Sequence, residues 1–190
     1  MKALLLSTLL AASCIAILTA QNTTPPAGEQ IRYDGNRMLR PANYREWVWL
    51  SSGLGMSYTA GPPSQNPDFD NVFVNPSAYR SFLAKGTWPD GTVLVLETRA
   101  SLTKSSINRS GRVQGDLTGM EVHVKDEHRF PGKWAFFAFR RSASTGTLIP
   151  SSAACYSCHQ QHGAVDTTFV QFYPTLLEVA RQKGTLQNRY

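Results

Sequence analysis

The sequence predicts a mainly β (α+β) domain, with strands through its middle and helices towards its ends. Three observations carry that reading. Thr92-Val93-Leu94-Val95-Leu96 is rich in β-branched residues and apolar on both sides, as a central strand requires. Met120, Val122 and Val124 alternate with Glu121, His123 and Lys125, the period-two pattern of a strand. Helical spacing is confined to Tyr79, Phe82 and Leu83 before these strands, and to Val165, Phe169, Phe172, Leu176 and Val179 after them.

In chain order, residues 21–42 are polar, hold Pro25, Pro26, Gly28 and Gly35, and read as a tail leading into a domain spanning 43–184. Asn43 is placed to cap a short helix through Tyr44-Arg45-Glu46-Trp47. Val48-Trp49-Leu50 reads as strand, 51–68 as a Gly- and Pro-rich loop, and Phe69 to Val74 as a second strand. Asn75 as cap and Pro76 at the first helical position start a helix that Gly86 closes. Pro89-Asp90-Gly91 is a turn into the 92–96 strand. Residues 101–118 form a long loop or loose hairpin, and the alternating strand that follows has one wet face. Trp134 to Phe139 is a strand bulky on both faces, and 142–154 is a small-residue linker. Pro174 must kink or split the final helix, since it has no N–H to donate. Residues 185–190 are a C-terminal tail.

The linker leads into Cys155-Tyr156-Ser157-Cys158-His159, a C-x-x-C-H run. This is the attachment signature of a c-type haem. Two thiols add to the two vinyl groups, and the imidazole that follows binds the iron from one face. On a helical turn, residues three apart share a side, so Cys155 and Cys158 meet the porphyrin edge together while His159 lies under the ring. Two duller readings compete. The cysteines could form a redox dithiol, although such motifs sit early in a chain, after a strand. Zinc could use Cys155, Cys158 and His162, although a structural site wants four ligands. A late motif with no Met after Met120 excludes the usual small electron-transfer cytochrome, and strands at 92–139 exclude a four-helix cytochrome.

The first twenty residues read as a secretory signal peptide cleaved near Ala20: Lys2 is the positive n-region and Ala3 to Ala20 carries no charge. A permanent anchor is the weaker alternative, because these 18 residues barely reach a bilayer span. A lipoprotein at Cys14 is a third, opposed by the apolar run that continues through Ile15-Ala16-Ile17-Leu18. The expected location is periplasmic or secreted, which suits haem attached outside the cytoplasm. Loss of Lys2 leaves 18 basic and 13 acidic side chains, a net charge of +5. These are scattered, a solvated surface and not a nucleic-acid footprint.

The chain resembles the cytochrome P-460 family, which shares its mainly β fold with the cytochromes c prime-beta. The matching pieces are Asn43-Tyr44-Arg45-Glu46-Trp47, Pro89-Asp90-Gly91-Thr92-Val93, Val124-Lys125-Asp126, Trp134-Ala135-Phe136, the haem motif, and Phe169 with Phe172-Tyr173-Pro174. The resemblance implies an antiparallel β-sheet sandwich around one covalent haem c, with His159 as axial ligand, in a homodimer. It implies binding of a small diatomic ligand such as NO, or electron transfer with a redox partner protein. Active family members instead oxidise hydroxylamine, through a haem that carries an extra link to a lysine. That lysine's position is Leu96 here, a distal-pocket residue with no nucleophilic atom. Their distal carboxylate falls in the segment before the haem motif, and 142–154 holds no Asp or Glu. Both departures point away from hydroxylamine chemistry.

Among the other histidines, His123 shares a strand face with Glu121 and Lys125 and reads as solvated, with a sixth iron ligand as the alternative. His128 reads as surface, and His162 as surface or a propionate contact. Phe136, Phe137 and Phe139 are plain core or a cap over the open haem face.

Overall fold

The computed structural model describes residues 27–190. The signal-peptide reading, Ala20 and Cys14 therefore lie outside the described residues. Eight strands form one antiparallel sheet: β1 Tyr33–Asp34, β2 Arg37–Leu39, β3 Val48–Leu54, β4 Phe69–Val74, β5 Val93–Leu102, β6 Val113–Lys125, β7 Trp134–Phe139 and β8 Thr145–Leu148. Their spatial order is β1-β2-β8-β7-β6-β5-β4-β3. Three helices complete the chain, α1 Pro76–Lys85, α2 Ala154–His162 and α3 Pro174–Lys183. The fold is mainly β, as the sequence predicts.

The strand order explains how both faces are covered. β2 lies near one end of the sheet and β3 at the other, so residues 40–47 must cross a face between them. They do so as a 3-10 turn, Tyr44–Glu46. Tyr44 and Trp47 join Met38, Val93, Val95, Met120, Val122, Val124, Ala135, Phe137 and Phe139 in one buried cluster. Side chains alternate along a strand, so the intervening residues face the other way. There Leu94 and Trp134 pack with Leu50, Val74, Phe82 of α1 and Leu176 and Ala180 of α3. Two apolar layers thus sandwich the sheet, and the helical layer carries the site.

Several local expectations change. Residues 33–39, within the stretch read as a polar tail, are strands of the sheet. The 142–154 linker contains β8, whose small residues fit close beside Phe139; a Cβ at Gly146 would meet that ring at 2.4 Å. Of the loop or loose hairpin expected at 101–118, the hairpin is what forms: Ser101 pairs with Gln114 and Leu102 with Val113, and 103–112 is its loop. Asn43 adopts φ 52 and makes no side-chain cap. Asn75 also fails to cap α1. Its Oδ1 accepts from the Val93 N–H at 2.8 Å, stitching the helix start to β5, while Glu29 accepts from the Ser77 N–H at 2.8 Å. Gly86 does close α1, at φ 75. Of the kink or split expected at Pro174, the split is found: a 3-10 turn, Val170–Phe172, ends before it and α3 starts at it, where its missing N–H costs nothing.

Candidate haem site

α2 presents Cys155, Cys158 and His159 to a cavity of about 300 Å³. The opposite wall is the sheet: Val72 of β4, Leu94 and Leu96 of β5, Glu121 and His123 of β6, and Phe136 of β7. Phe169 and Tyr173 close one side, while Met56, Tyr58 and Phe172 line it and remain well exposed, which marks the open edge. α2 is fixed to the sheet by Tyr156, whose hydroxyl donates to the Ile149 carbonyl at 3.0 Å and accepts from the Phe136 N–H at 3.2 Å. Both cysteines are free thiols and half-buried.

The His159 ring is held on several sides. Ring centres of Phe169, Phe136 and His123 lie 4.1, 4.7 and 5.0 Å away. Its Nδ1 is 2.7 Å from the Thr167 carbonyl oxygen. A carbonyl can only accept, so Nδ1 carries the proton and Nε2 keeps a free lone pair. Burial lowers the imidazole's pKa, opposed by the same hydrogen bond. The ring is therefore neutral near pH 7, the form that binds a metal.

A family model described as cytochrome P460 matches residues 41–170. The chain belongs to the cytochrome P460 family. It is a haem-binding cytochrome, and no curated protein matches it. The cavity fits that group. It offers apolar and aromatic walls, two free thiols, and an imidazole whose second nitrogen is already tied down, the usual way a protein orients such a ligand. The zinc alternative finds no support: His162 is exposed, and among the described residues no three of His, Cys, Asp and Glu are grouped to hold a metal ion.

The structure places Leu96 on the cavity wall, between Val72 and Glu121 of the neighbouring strands. Phe136 is on that wall too, whereas Phe137 and Phe139 belong to the other face's core. His128 is exposed, as expected, 4.0 Å from Asp90.

His123 overturns its reading. It is buried, stacked on Phe136 at 3.9 Å with Trp134 at 4.4 Å, and its Nε2 is 3.4 Å from the Thr167 hydroxyl. Burial first, then neighbouring His159, push its pKa well below the ordinary value, so it is neutral. It touches His159 edge-on and shares its Thr167 neighbour, which makes it a wall of the His159 pocket and not a solvated group. The wet face expected for β6 holds at Glu121, which is exposed, but is covered by α2 and the loop after it at His123 and Lys125, which are buried.

The second correction concerns acids. Residues 142–154 indeed hold none, yet Glu121 and Asp70 both line the cavity. Burial raises the pKa of each, and Asp70 adds to the rise at Glu121. No local signal marks them. Glu121 sits in a strand pattern that fits a solvated face and is exposed accordingly, and the elements that complete the cavity beside it come some forty residues later.

Proposed function

We propose that the chain is an exported mono-haem c-type cytochrome, bound through thioethers at Cys155 and Cys158, with His159 as the axial iron ligand. The observation that carries the reading is the convergence of both thiols and a neutral, carbonyl-oriented imidazole on one apolar cavity. The haem supplies a redox-active iron able to bind a small molecule. The residues do the rest. Thr167 fixes the imidazole's proton on Nδ1 and raises the basicity of Nε2. Phe136, Phe169 and His123 hold the ring's plane. Leu96, Val72 and Leu94 keep the sheet-side wall dry, which favours an uncharged diatomic ligand such as NO over hydrated ions. Single-electron exchange with a redox partner protein suits the same site, since Met56, Tyr58 and Phe172 leave one edge open. A homodimer belongs to this proposal. β3 is an unpaired edge strand with Trp49 57 % exposed, a surface that a second copy would cover.

A second reading, hydroxylamine oxidation, gains from Glu121 and Asp70. Two carboxylates held in a largely apolar cavity with raised pKa values are suited to accept protons. Leu96 weighs against it, because no side chain at that position can link to the porphyrin.

The optical spectrum decides between them. Protein matured in a host that attaches haem c should retain haem stain on a denaturing gel, show an ordinary c-type spectrum and give no steady hydroxylamine turnover. Cys155→Ala with Cys158→Ala should lose the stain. Haem that extracts freely from the wild type refutes covalent attachment. Red-shifted absorption or robust turnover promotes the second reading.

A further inference from the structure

We propose that Lys125, Asp166 and Trp88 are positioning residues for the axial ligand: they clamp the 163–168 loop, and through Thr167 they set how firmly the His159 imidazole is held. This rests on His159 being the iron ligand. The Thr167 carbonyl is a single acceptor on a short loop between α2 and Phe169, and nothing in its own sequence makes that loop stiff. Its neighbours on both sides are tied to distant elements.

On one side, Asp166 sits in the left-handed region at φ 51, where a non-glycine residue persists only when its surroundings hold it. Its carboxylate is 3.7 Å from Lys125 Nζ. Lys125 is itself buried at the end of β6 and donates to the Trp88 carbonyl at 2.8 Å, with its ammonium 5.7 Å from the Trp134 ring centre. Glu127 shares the ammonium at 3.4 Å but is also paired with Lys133 at 3.5 Å, so Asp166 is the loop's link to it. On the other side, Thr168 is 1 % exposed. Its hydroxyl accepts from Trp88 Nε1 at 2.8 Å and donates to the Val165 carbonyl at 2.8 Å.

Trp88 thus serves both arms, through its carbonyl and its indole. Thr167 lies between two residues fixed to one rigid post, and its carbonyl has little freedom to leave Nδ1. A buried lysine is costly unless paired. Its placement beside a functional loop, where an apolar residue would pack as well, is the feature that a purely structural account leaves unexplained.

The test uses haem-loaded protein and the iron–histidine stretching band of the ferrous form in resonance Raman. Lys125→Met keeps the stem and removes the charge. Asp166→Asn removes the charge at a residue type that tolerates positive φ. Both should shift the band to lower frequency at wild-type far-ultraviolet circular dichroism, and Lys125→Arg should restore it. Trp88→Phe, which keeps the ring but loses the indole donor, should act in the same direction. The amides of Gly163 and Ala164, bonded to His159 and Thr168 carbonyls, should exchange faster in these variants. A band abolished by His159→Gly but unmoved by Lys125→Met and Asp166→Asn overturns the clamp alone. A band that survives His159→Gly overturns the axial assignment and the clamp with it. Asp166 is partly exposed, so its variant keeps the test open should Lys125→Met fail to fold.

Discussion

Gly163→Ala tests how tightly the axial segment is built. Gly163 follows α2 directly, with φ −68, so alanine fits its backbone conformation and the effect is steric only. An added Cβ would lie 2.8 Å from the His159 carbonyl oxygen, 2.9 Å from the Thr167 carbonyl carbon and 2.9 Å from the Thr168 nitrogen. All three are backbone atoms, which cannot swing aside as a side chain can. Reaching even a tight 3.4 Å contact requires the backbone to yield by about 0.6 Å. The crowded atoms belong to both partners of the His159–Thr167 bond. Lengthening that 2.7 Å bond by the same amount takes it to the outer limit of a useful hydrogen bond. Overpacking of this kind costs roughly 1–3 kcal/mol. At about 2–4 °C per kcal/mol for a chain of this size, the melting temperature should fall by several degrees. The iron–histidine band should move to lower frequency in the same variant. Gly132→Ala is the control, because a Cβ there meets nothing within 4 Å. If Gly163→Ala melts and scatters like wild type, the loop is soft and His159 is oriented by something other than the Thr167 carbonyl.

Three further outcomes follow from the geometry. His123→Ala should keep the haem attached but leave a void against Phe136, Trp134 and His159, costing on the order of 2–5 kcal/mol by thermal melt and broadening the iron–histidine band; an unchanged melt and band would return His123 to the surface. Glu97 is buried, which alone would raise its pKa, but hydrogen bonds from Arg99, Tyr44 and Arg45 win and lower it. Its stabilisation is therefore complete above its ordinary pKa of 4.5 and is lost as pH falls through the lower folded value. Glu97→Gln should cost up to about 3–5 kcal/mol at pH 7 in denaturant melts, the gap to wild type closing only as pH falls below 4.5, whereas a gap independent of pH would refute the charge account. Leu96→Lys places an amine on the cavity wall beside Glu121, and red-shifted absorption in the variant would show that position 96 can reach the porphyrin; an unshifted spectrum would place it out of reach.

What was legible in the sequence follows the range of the physics involved. β4 and β7 were bounded to the residue, because alternation or a dense aromatic run is a local property. α1 was placed for the same reason, by Pro76 at its start and Gly86 at its end. The haem motif was legible because attachment demands fixed spacing along one helical turn. β1, β2 and β8 were not, since two to four residues are too few to show a period; β2 and β8 exist by pairing with each other across about a hundred residues, and β1 by its hairpin to β2. Asn75 looked like a cap by type, but Val93 competed for its carbonyl oxygen, and only tertiary structure brings the two together.

The same distinction governs the site. A strand face reading Glu-x-His-x-Lys has one local meaning, solvent, and that meaning holds only if nothing lies over it. Here α2 and its loop lie over part of it, and two of the three side chains change role with the covering. His123 becomes a neutral ring against His159, and Lys125 a buried cation fastened to the segment that covers it, whereas Glu121 is an exposed acid that also lines the cavity. Under the proposed function, the motif on α2 specifies what is bound. The β6 face, polar by pattern and partly buried by topology, supplies the groups that surround His159 and set the acidity of the cavity. On that function, this chain's chemistry depends as much on this face and on Leu96 as on the motif, and variants of these residues should move the spectrum while leaving attachment intact.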